Sequence, residues 1–159
     1  EDYQVTQQML KEHCGCEEGR MVIGKKKPSI MKVDIFEKVF KNKTVFVTGH
    51  TGYKGSWLCQ WLIKLGADIA GYSLAPQTNP NHFNVLAMEM KSIINDLRDY
   101  QNLFKVFKEF KPEVVFHLGA QASVLVSYDE SIETFSSNIM GTANILEACK
   151  EYNVKKIVY

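Results

Sequence analysis

The segment Thr48-Gly49-His50-Thr51-Gly52-Tyr53-Lys54-Gly55 has the residue types and spacing to hold an anion with its main chain. Gly49, Gly52 and Gly55 leave amide N–H groups with no side chain in front of them. They stand between the β-branched and aromatic run Thr44-Val45-Phe46-Val47 and an apolar-periodic segment that starts at Ser56. A strand that turns directly into a helix brings free N–H groups and the positive end of the helix dipole to one point, and a diphosphate binds well there. Each glycine then has its own duty: one turns the chain, one admits the phosphate, and one lets helix and strand pack closely. A Gly-x-x-Gly-x-x-Gly by itself says little in a chain with 10 glycines. Its position between a buried strand and an amphipathic helix makes it specific.

The elements that must position this turn follow from periodicity. Thr44–Val47 reads as a strand buried on both faces. In the helix from Ser56 to Leu65, Trp57, Trp61 and Leu65 recur at helical spacing with Leu58 and Leu62 beside them, and this apolar face is expected to cover the sheet until Gly66 ends the helix. Asp68 to Leu74 reads as a second strand, residues 75–84 with Pro76 and Pro80 as a loop, and Ser92–Ile94 as a short strand. A helix over Tyr100–Phe110 carries Leu103, Phe104, Phe107 and Phe110 on one face and stops before Pro112. Val114–Leu118 is a further buried strand, Ser131–Tyr152 a long helix bearing Phe135, Ile139, Ile145 and Leu146, and Lys155–Tyr159 the start of another strand. The order β-α-β-β-α-β-α-β requires crossover connections, hence an α/β fold: a Rossmann-type doubly wound parallel sheet, truncated after about five strands.

Composition bounds the partners. In 159 residues there are 19 basic and 18 acidic side chains, a net charge of +1, so no global field draws nucleic acid or an anionic membrane. The apolar runs are strand-sized, far below the roughly 18 residues of a spanning helix, and no membrane partner is expected. No signal-peptide pattern opens the sequence, which points to the cytoplasm. Residues 1–33 read as an extension or linker and 34–159 as the domain. Gln4 to Lys11 could form a short helix, Lys25-Lys26-Lys27 reads as a solvated charge run, and Cys14 and Cys16 read as ordinary thiols with no second ligand pair to close a metal site. No metal is expected.

The Gly-x-x-Gly-x-x-Gly spacing resembles that of the extended short-chain dehydrogenase/reductases. Within them, Thr48 to Leu58, Tyr72 to Pro80, Asp96-Leu97-Arg98-Asp99, Phe116 to Gln121 and Asn138 to Thr142 resemble the CDP-glucose 4,6-dehydratase family, over about Phe36 to Tyr159. The resemblance implies an NAD-dependent lyase acting on a nucleotide sugar, whose full-length form converts CDP-glucose to CDP-4-dehydro-6-deoxyglucose and works as a homodimer. By position, Gly49, Thr51, Gly52, Tyr53, Lys54 and Gly55 would surround the pyrophosphate, and Asp96 and Leu97 would lie beside the adenine. Asp96 would accept a hydrogen bond from the exocyclic amino group, or else be a helix N-cap or loop carboxylate. Leu118, Gly119, Ala120 and Gln121 would line the cofactor toward the nicotinamide ribose, with Gly119 standing where the family leads one to expect alanine. That exchange is expected to loosen the backbone there.

One usual feature is replaced. An acidic residue at the end of the second strand holds the adenine ribose in NAD sites, whereas Ser73 stands there as a weaker partner. No cation for a 2′-phosphate lies nearby except Lys54, so NAD is favoured over NADP. His117 reads as a core or supporting histidine, His50 as a residue shaping the turn, and Asn138 as a buttress of the site or an ordinary helix asparagine. Neither Tyr128 nor Tyr159 has a lysine four residues later, so the family's catalytic Tyr-x-x-x-Lys is expected beyond this chain and no catalytic residue is assigned within it. Two alternatives stay open: another extended-family enzyme such as a sugar-nucleotide epimerase or reductase, and a non-catalytic dinucleotide-binding module.

Overall fold

A computed structural model describes residues 38–159. The expected extension over residues 1–33, the Gln4–Lys11 helix, the Lys25–Lys27 run and the Cys14/Cys16 pair lie outside the described residues.

The first strand, β1 (Thr44–Thr48), runs through the glycine turn into helix α1 (Tyr53–Lys64). Then come β2 (Asp68–Ser73), a short helix α2 (His82–Leu86), β3 (Lys91–Ile94), α3 (Tyr100–Phe110) and β4 (Val114–His117). All strands are parallel, in the order β3-β2-β1-β4-β5, with β5 at Lys156–Val158. Strand order reverses between β1 and β4, which puts the glycine turn at the switch point where open α/β sheets bind ligands. Alternate residues of β1 serve opposite faces. Val45 and Val47 pack with Ile69 under Cys59 and Leu62 of α1. Phe46 packs with Tyr72 and Val115 under Leu103 and Phe107 of α3 and Ile145 and Cys149 of the last helix. Burial on both faces explains why the strand is continuously apolar.

Three elements differ from the sequence reading. Helix α1 starts at Tyr53, and the residues it buries are Gly55, Ser56, Cys59 and Leu62. Trp57 and Trp61 are about half exposed, at 49% and 48%. The helix closes on β1 through its small residues, so an indole has no room on that side, and Trp57 instead stacks with His82 at 4.7 Å. The segment expected as a loop over 75–84 runs into α2, whose first turn is capped by the Asn81 side chain accepting from the Asn84 N–H. The helix expected over Ser131–Tyr152 is present as α5 (Ser131–Phe135), one wide π turn over Ser136–Met140 and α6 (Gly141–Glu151), and a further short helix that was not expected, α4 (Val124–Asp129), precedes it. Helix α3 matches its expected limits and is capped by Asp99, which accepts from the Asn102 N–H. Among the described residues, no helix is long and apolar enough to cross a membrane, and no cluster of His, Cys, Asp or Glu could hold a metal.

Gly71 of β2 lies directly under the His50 ring, and a Cβ there would overlap the imidazole and come within 2.7 Å of Met90 Cε. Gly71→Ala should lower the unfolding free energy by about 2 kcal/mol or more, as overpacked cores do. Urea denaturation measures it, and an unchanged midpoint would remove His50 from its place between turn and sheet.

Candidate functional site

The main chain closes on itself at the glycine turn. Gly49 has φ +72°, and a Cβ on it would stand 2.9 Å from the Leu118 carbonyl and the Gly119 nitrogen at the end of β4. At Gly55 a Cβ would overlap the Gly49 carbonyl oxygen and lie 2.9 Å from His50 Cα, so α1 crosses β1 at backbone-to-backbone distance. Gly52 is different. It is the exposed N-cap of α1, with φ −74° and ψ 165°, and a Cβ there would be 3.3 Å from the Gly49 oxygen. No side chain caps α1. Its first N–H groups therefore point, with the helix dipole, at whatever stands before Gly52, Tyr53 and Lys54. Free amides at a helix start with no side chain over them are the kind of main chain that suits an anion.

Thr51 does not cap the helix because its hydroxyl is used elsewhere. It donates to the Leu74 carbonyl at 2.8 Å, and the Ser73 hydroxyl lies 2.8 Å from the same Thr51 oxygen. With the Thr51 proton committed to a carbonyl, Ser73 is the donor in that pair, and its own oxygen keeps lone pairs to offer. His50 braces the turn from beneath. It is fully buried, its Nε2 is 2.7 Å from Ser92 Oγ of β3, and its ring meets Phe83 edge-on at 5.1 Å. Its Nδ1 is buried and makes no hydrogen bond of full geometry. Burial lowers the pKa from 6.5 to about 4, outweighing the Tyr72 backbone, which favours the charged ring.

Across the turn, Asp96 is not the N-cap of α3 but a loop carboxylate held by Arg98. Oδ1 accepts from the Arg98 N–H at 2.8 Å and from Nε at 3.0 Å, and Oδ2 accepts from Nη2 at 2.6 Å. The Arg98 hydrogen bonds hold the carboxyl below its ordinary range. Arg98 Nη1 also reaches Glu133 of α5 at 2.6 Å. Leu97 turns its side chain into the core, 8% exposed, while its carbonyl accepts from Asn144 of α6 at 2.9 Å. A Cβ on Gly119 would be 2.7 Å from Leu97 Cδ1, so Leu97 occupies the room an alanine would need.

The strand end after β4 is clamped from two sides. Thr48 Oγ1 accepts from the Leu118 N–H at 3.1 Å and the Gly119 N–H at 2.9 Å. Asn138, carried by the π turn, accepts from the Gln121 N–H at 2.7 Å and donates to the Gln121 carbonyl at 3.0 Å. The Gln121 side chain is used internally too, donating to the Ser123 carbonyl and to Thr134, each at 3.0 Å. Leu118 and Ala120 are exposed and Gly119 half-buried. Thus at the C-terminal end of the sheet Gly49 meets Leu118 and Gly119 on one side, and Thr51 ties the turn that carries Gly52, Tyr53 and Lys54 to Ser73 and Leu74 on the other. Thr51, Gly55 and the Gln121 side chain support this arrangement from within. The sequence reading had His117 as a core or supporting histidine but missed its partners, the Thr48 hydroxyl at the end of β1 and the Thr142 hydroxyl in the first turn of α6, whose signal was polar residues interrupting apolar elements.

It also passed over one tyrosine. Tyr152-x-x-x-Lys156 has the spacing of the catalytic pair, but the structure makes it something else. Tyr152 is the C-cap of α6, packed on Phe104 and Phe107 at 5.8 and 6.2 Å, and Lys156 opens β5. The two do not share a helix face, and they lie at the opposite end of the sheet from the turn.

Residues 46–159 match the family model described as GDP-mannose 4,6 dehydratase. The chain is 46% identical over 127 residues to a CDP-glucose 4,6-dehydratase of Salmonella typhimurium, covering 78% of this chain and 35% of that protein. Among solved structures it is similar to the epimerase Mth375 of Methanothermobacter thermautotrophicus, with TM-score 0.74, 28% identity, and coverage of 83% of this chain and 39% of that one. It is similar as well to the UDP-glucose 4-epimerase of Thermus thermophilus in complex with NAD, with TM-score 0.65, 34% identity, and coverage of 73% and 36%. The chain thus spans about a third of the length of the Salmonella relative.

The lowered His50 pKa makes stability depend on acid. The unfolded chain takes up a proton below pH 6.5 and the folded ring only near 4, so stability is full above 6.5 and falls as pH drops between these values. The loss should be on the order of 3 kcal/mol. Chemical denaturation at pH 7 and pH 5 should show most of the loss, and the non-titrating His50→Gln should flatten it. A midpoint independent of pH in this range would contradict the buried neutral ring.

Proposed function

Because this chain belongs to the sugar-nucleotide dehydratase family described by the GDP-mannose 4,6 dehydratase model, we propose that it is the cofactor-binding part of an NAD-dependent 4,6-dehydratase acting on CDP-glucose. The 46% identity to the Salmonella enzyme supports the choice of nucleotide sugar. The observation that carries the reading is the cradle of bare main chain at Gly49–Lys54, in front of an uncapped helix and beside the Leu118–Gln121 strand end. Its residues fit a dinucleotide. The Tyr53 and Lys54 amides and the Lys54 ammonium would hold the diphosphate. Gly52 would leave it room, while Thr51 and Gly55 keep the turn in shape. Asp96 and the Leu97 backbone would flank the adenine, Asp96 with its carboxylate already fixed by Arg98. Leu118, Gly119 and Ala120 would line the path toward the nicotinamide, with Gln121 as their anchor. Bound NAD would supply a hydride acceptor at its nicotinamide ring.

Ser73 supports NAD over NADP. Its proton goes to Thr51, so it can only accept, and a ribose 2′-hydroxyl can donate to it. A 2′-phosphate brings further acceptors and negative charge, with no arginine or lysine on the β2 end to meet them.

The outer face of α4 to α6 supports a homodimer. Leu125, Tyr128, Ile132, Phe135 and Ile139 recur at helical spacing and are exposed, Ile132 by 81% and Phe135 by 61%. Exposed large apolar side chains in this number on consecutive helices are normally covered by a partner, and a second copy of the chain would cover them symmetrically.

Calorimetric titration tests the cofactor. NAD should bind at least about tenfold more tightly than NADP, a difference of about 1.4 kcal/mol. Gly52→Val should abolish binding while leaving the circular dichroism spectrum intact, since Gly52 has an ordinary extended backbone and a Cβ there meets a single neighbour, the Gly49 carbonyl oxygen at 3.3 Å. Retained affinity would remove the diphosphate from the turn. For the dimer, sedimentation should show self-association that Ile132→Glu weakens. A monomer at high concentration would leave these side chains to another partner.

A further inference from the structure

We propose that His117 is a positioning residue of the cofactor site, a neutral imidazole protonated on Nε2 that ties the Leu118–Gln121 strand end to the π turn. The proposal rests on the reading that this strand end lines the dinucleotide. The proton count in the network leaves one arrangement. Thr48 Oγ1 already accepts two amides, from Leu118 and Gly119, so its own proton goes to His117 Nδ1, 2.7 Å away. His117 Nδ1 is therefore an acceptor and Nε2 carries the hydrogen, which it donates to Thr142 Oγ1 at 2.9 Å. Thr142 passes its proton to the Asn138 carbonyl at 2.6 Å, and the Asn138 side chain grips both backbone groups of Gln121. The chain of donors runs in one direction from the end of β1, through β4, into α6 and back to the strand end.

A second proton on His117 breaks this order. An Nδ1–H would face the Thr48 hydroxyl, whose lone pairs are filled by the two amides, so Thr48 would have to release Leu118 or Gly119. Thr48 on β1 and Thr142 on α6 are the polar groups that face the ring, and among the described residues no ion pair includes His117. Burial holds its pKa below the ordinary 6.5, so the neutral form persists at neutral pH and is lost in acid.

Two measurements on the full chain test this, the first without cofactor. Imidazole nitrogen-15 spectra at pH 7.5 should show His117 as the Nε2–H tautomer, and His117→Phe should speed hydrogen exchange of the Leu118 and Gly119 amides about tenfold or more while the α3 amides keep their rates. An Nδ1–H or doubly protonated ring, or unchanged exchange at 118 and 119, overturns the proposal. In the second, NAD affinity should fall by up to about tenfold per pH unit below the His117 pKa. His117→Gln keeps an acceptor and a donor but takes no proton, and it should bind as the parent does at pH 8 and lose the acid limb. His117→Phe should bind about tenfold more weakly throughout. Parent-like affinity and pH profile in His117→Phe also overturn the proposal. Absence of NAD binding by the parent chain, with the stated tautomer and exchange present, overturns the cofactor reading instead.

Discussion

The structure depends on one close approach: α1 passes over the end of β1 so near that nothing larger than hydrogen fits between Gly55 and the Gly49 carbonyl. Helix and strand normally meet through side chains. Here the main chains touch, and the helix N-terminus is pressed into the mouth of the sheet with its amides uncovered. The same contact explains why small residues, Gly55, Ser56 and Cys59, make the buried edge of α1 while two tryptophans turn outward. It also places the turn beside the end of β4, where a positive φ at Gly49 lets the chain slip past Leu118 and Gly119.

A turn without side chains cannot hold its own shape, and the surrounding polar groups supply what it lacks. His50 from below, Thr51 and Ser73 from the β2 side, and Thr48 from the β4 side each direct hydrogen bonds into backbone or into one another. Such groups are buried at a cost unless each finds a partner. Most do, and the exception is His50 Nδ1. The cost there is tolerated as a neutral ring, because imidazole, unlike a carboxylate or ammonium, can shed its charge near neutral pH. The outcome is a turn of open main chain whose surroundings are held by hydrogen bonds. That is the arrangement that favours binding a diphosphate with little loss of flexibility.

The two sheet faces and the outer helices divide the apolar residues differently. Phe46, Tyr72 and Phe107 lock one face and Val45, Val47 and Leu62 the other, so the core needs nothing from α4 or α5. Those helices hang on the strand end through Asn138 and Arg98, which cross from the site to the π turn and to Glu133. The helices that carry the exposed apolar residues are thus joined by hydrogen bonds to the strand end after β4 and to Asp96-Leu97-Arg98.

The sequence by itself determined the strand-turn-helix order, the parallel sheet and the place of the glycine turn, because these follow from short-range rules: β-branched runs, apolar periodicity and glycine spacing. Helix α3 was legible from its apolar face and from Pro112, which stops it, while its cap, Asp99 and not Asp96, and the left-handed Lys111 at its end came from the structure. The short helix α2, the π turn at Ser136–Met140, and the choice of Cys59 over Trp57 and Trp61 for the core were decided only by tertiary structure. Helical spacing offers more than one apolar face, and the distance to the neighbouring backbone selects among them. The same holds for Tyr152 and Lys156, whose spacing suits a catalytic pair until a helix end and a strand start separate them. Above all, the direction of the hydrogen bonds through Thr48, His117, Thr142 and Asn138 could not be read from the chain. These residues are up to 94 positions apart in sequence, from 48 to 142, and only the folded sheet counts their protons against their lone pairs.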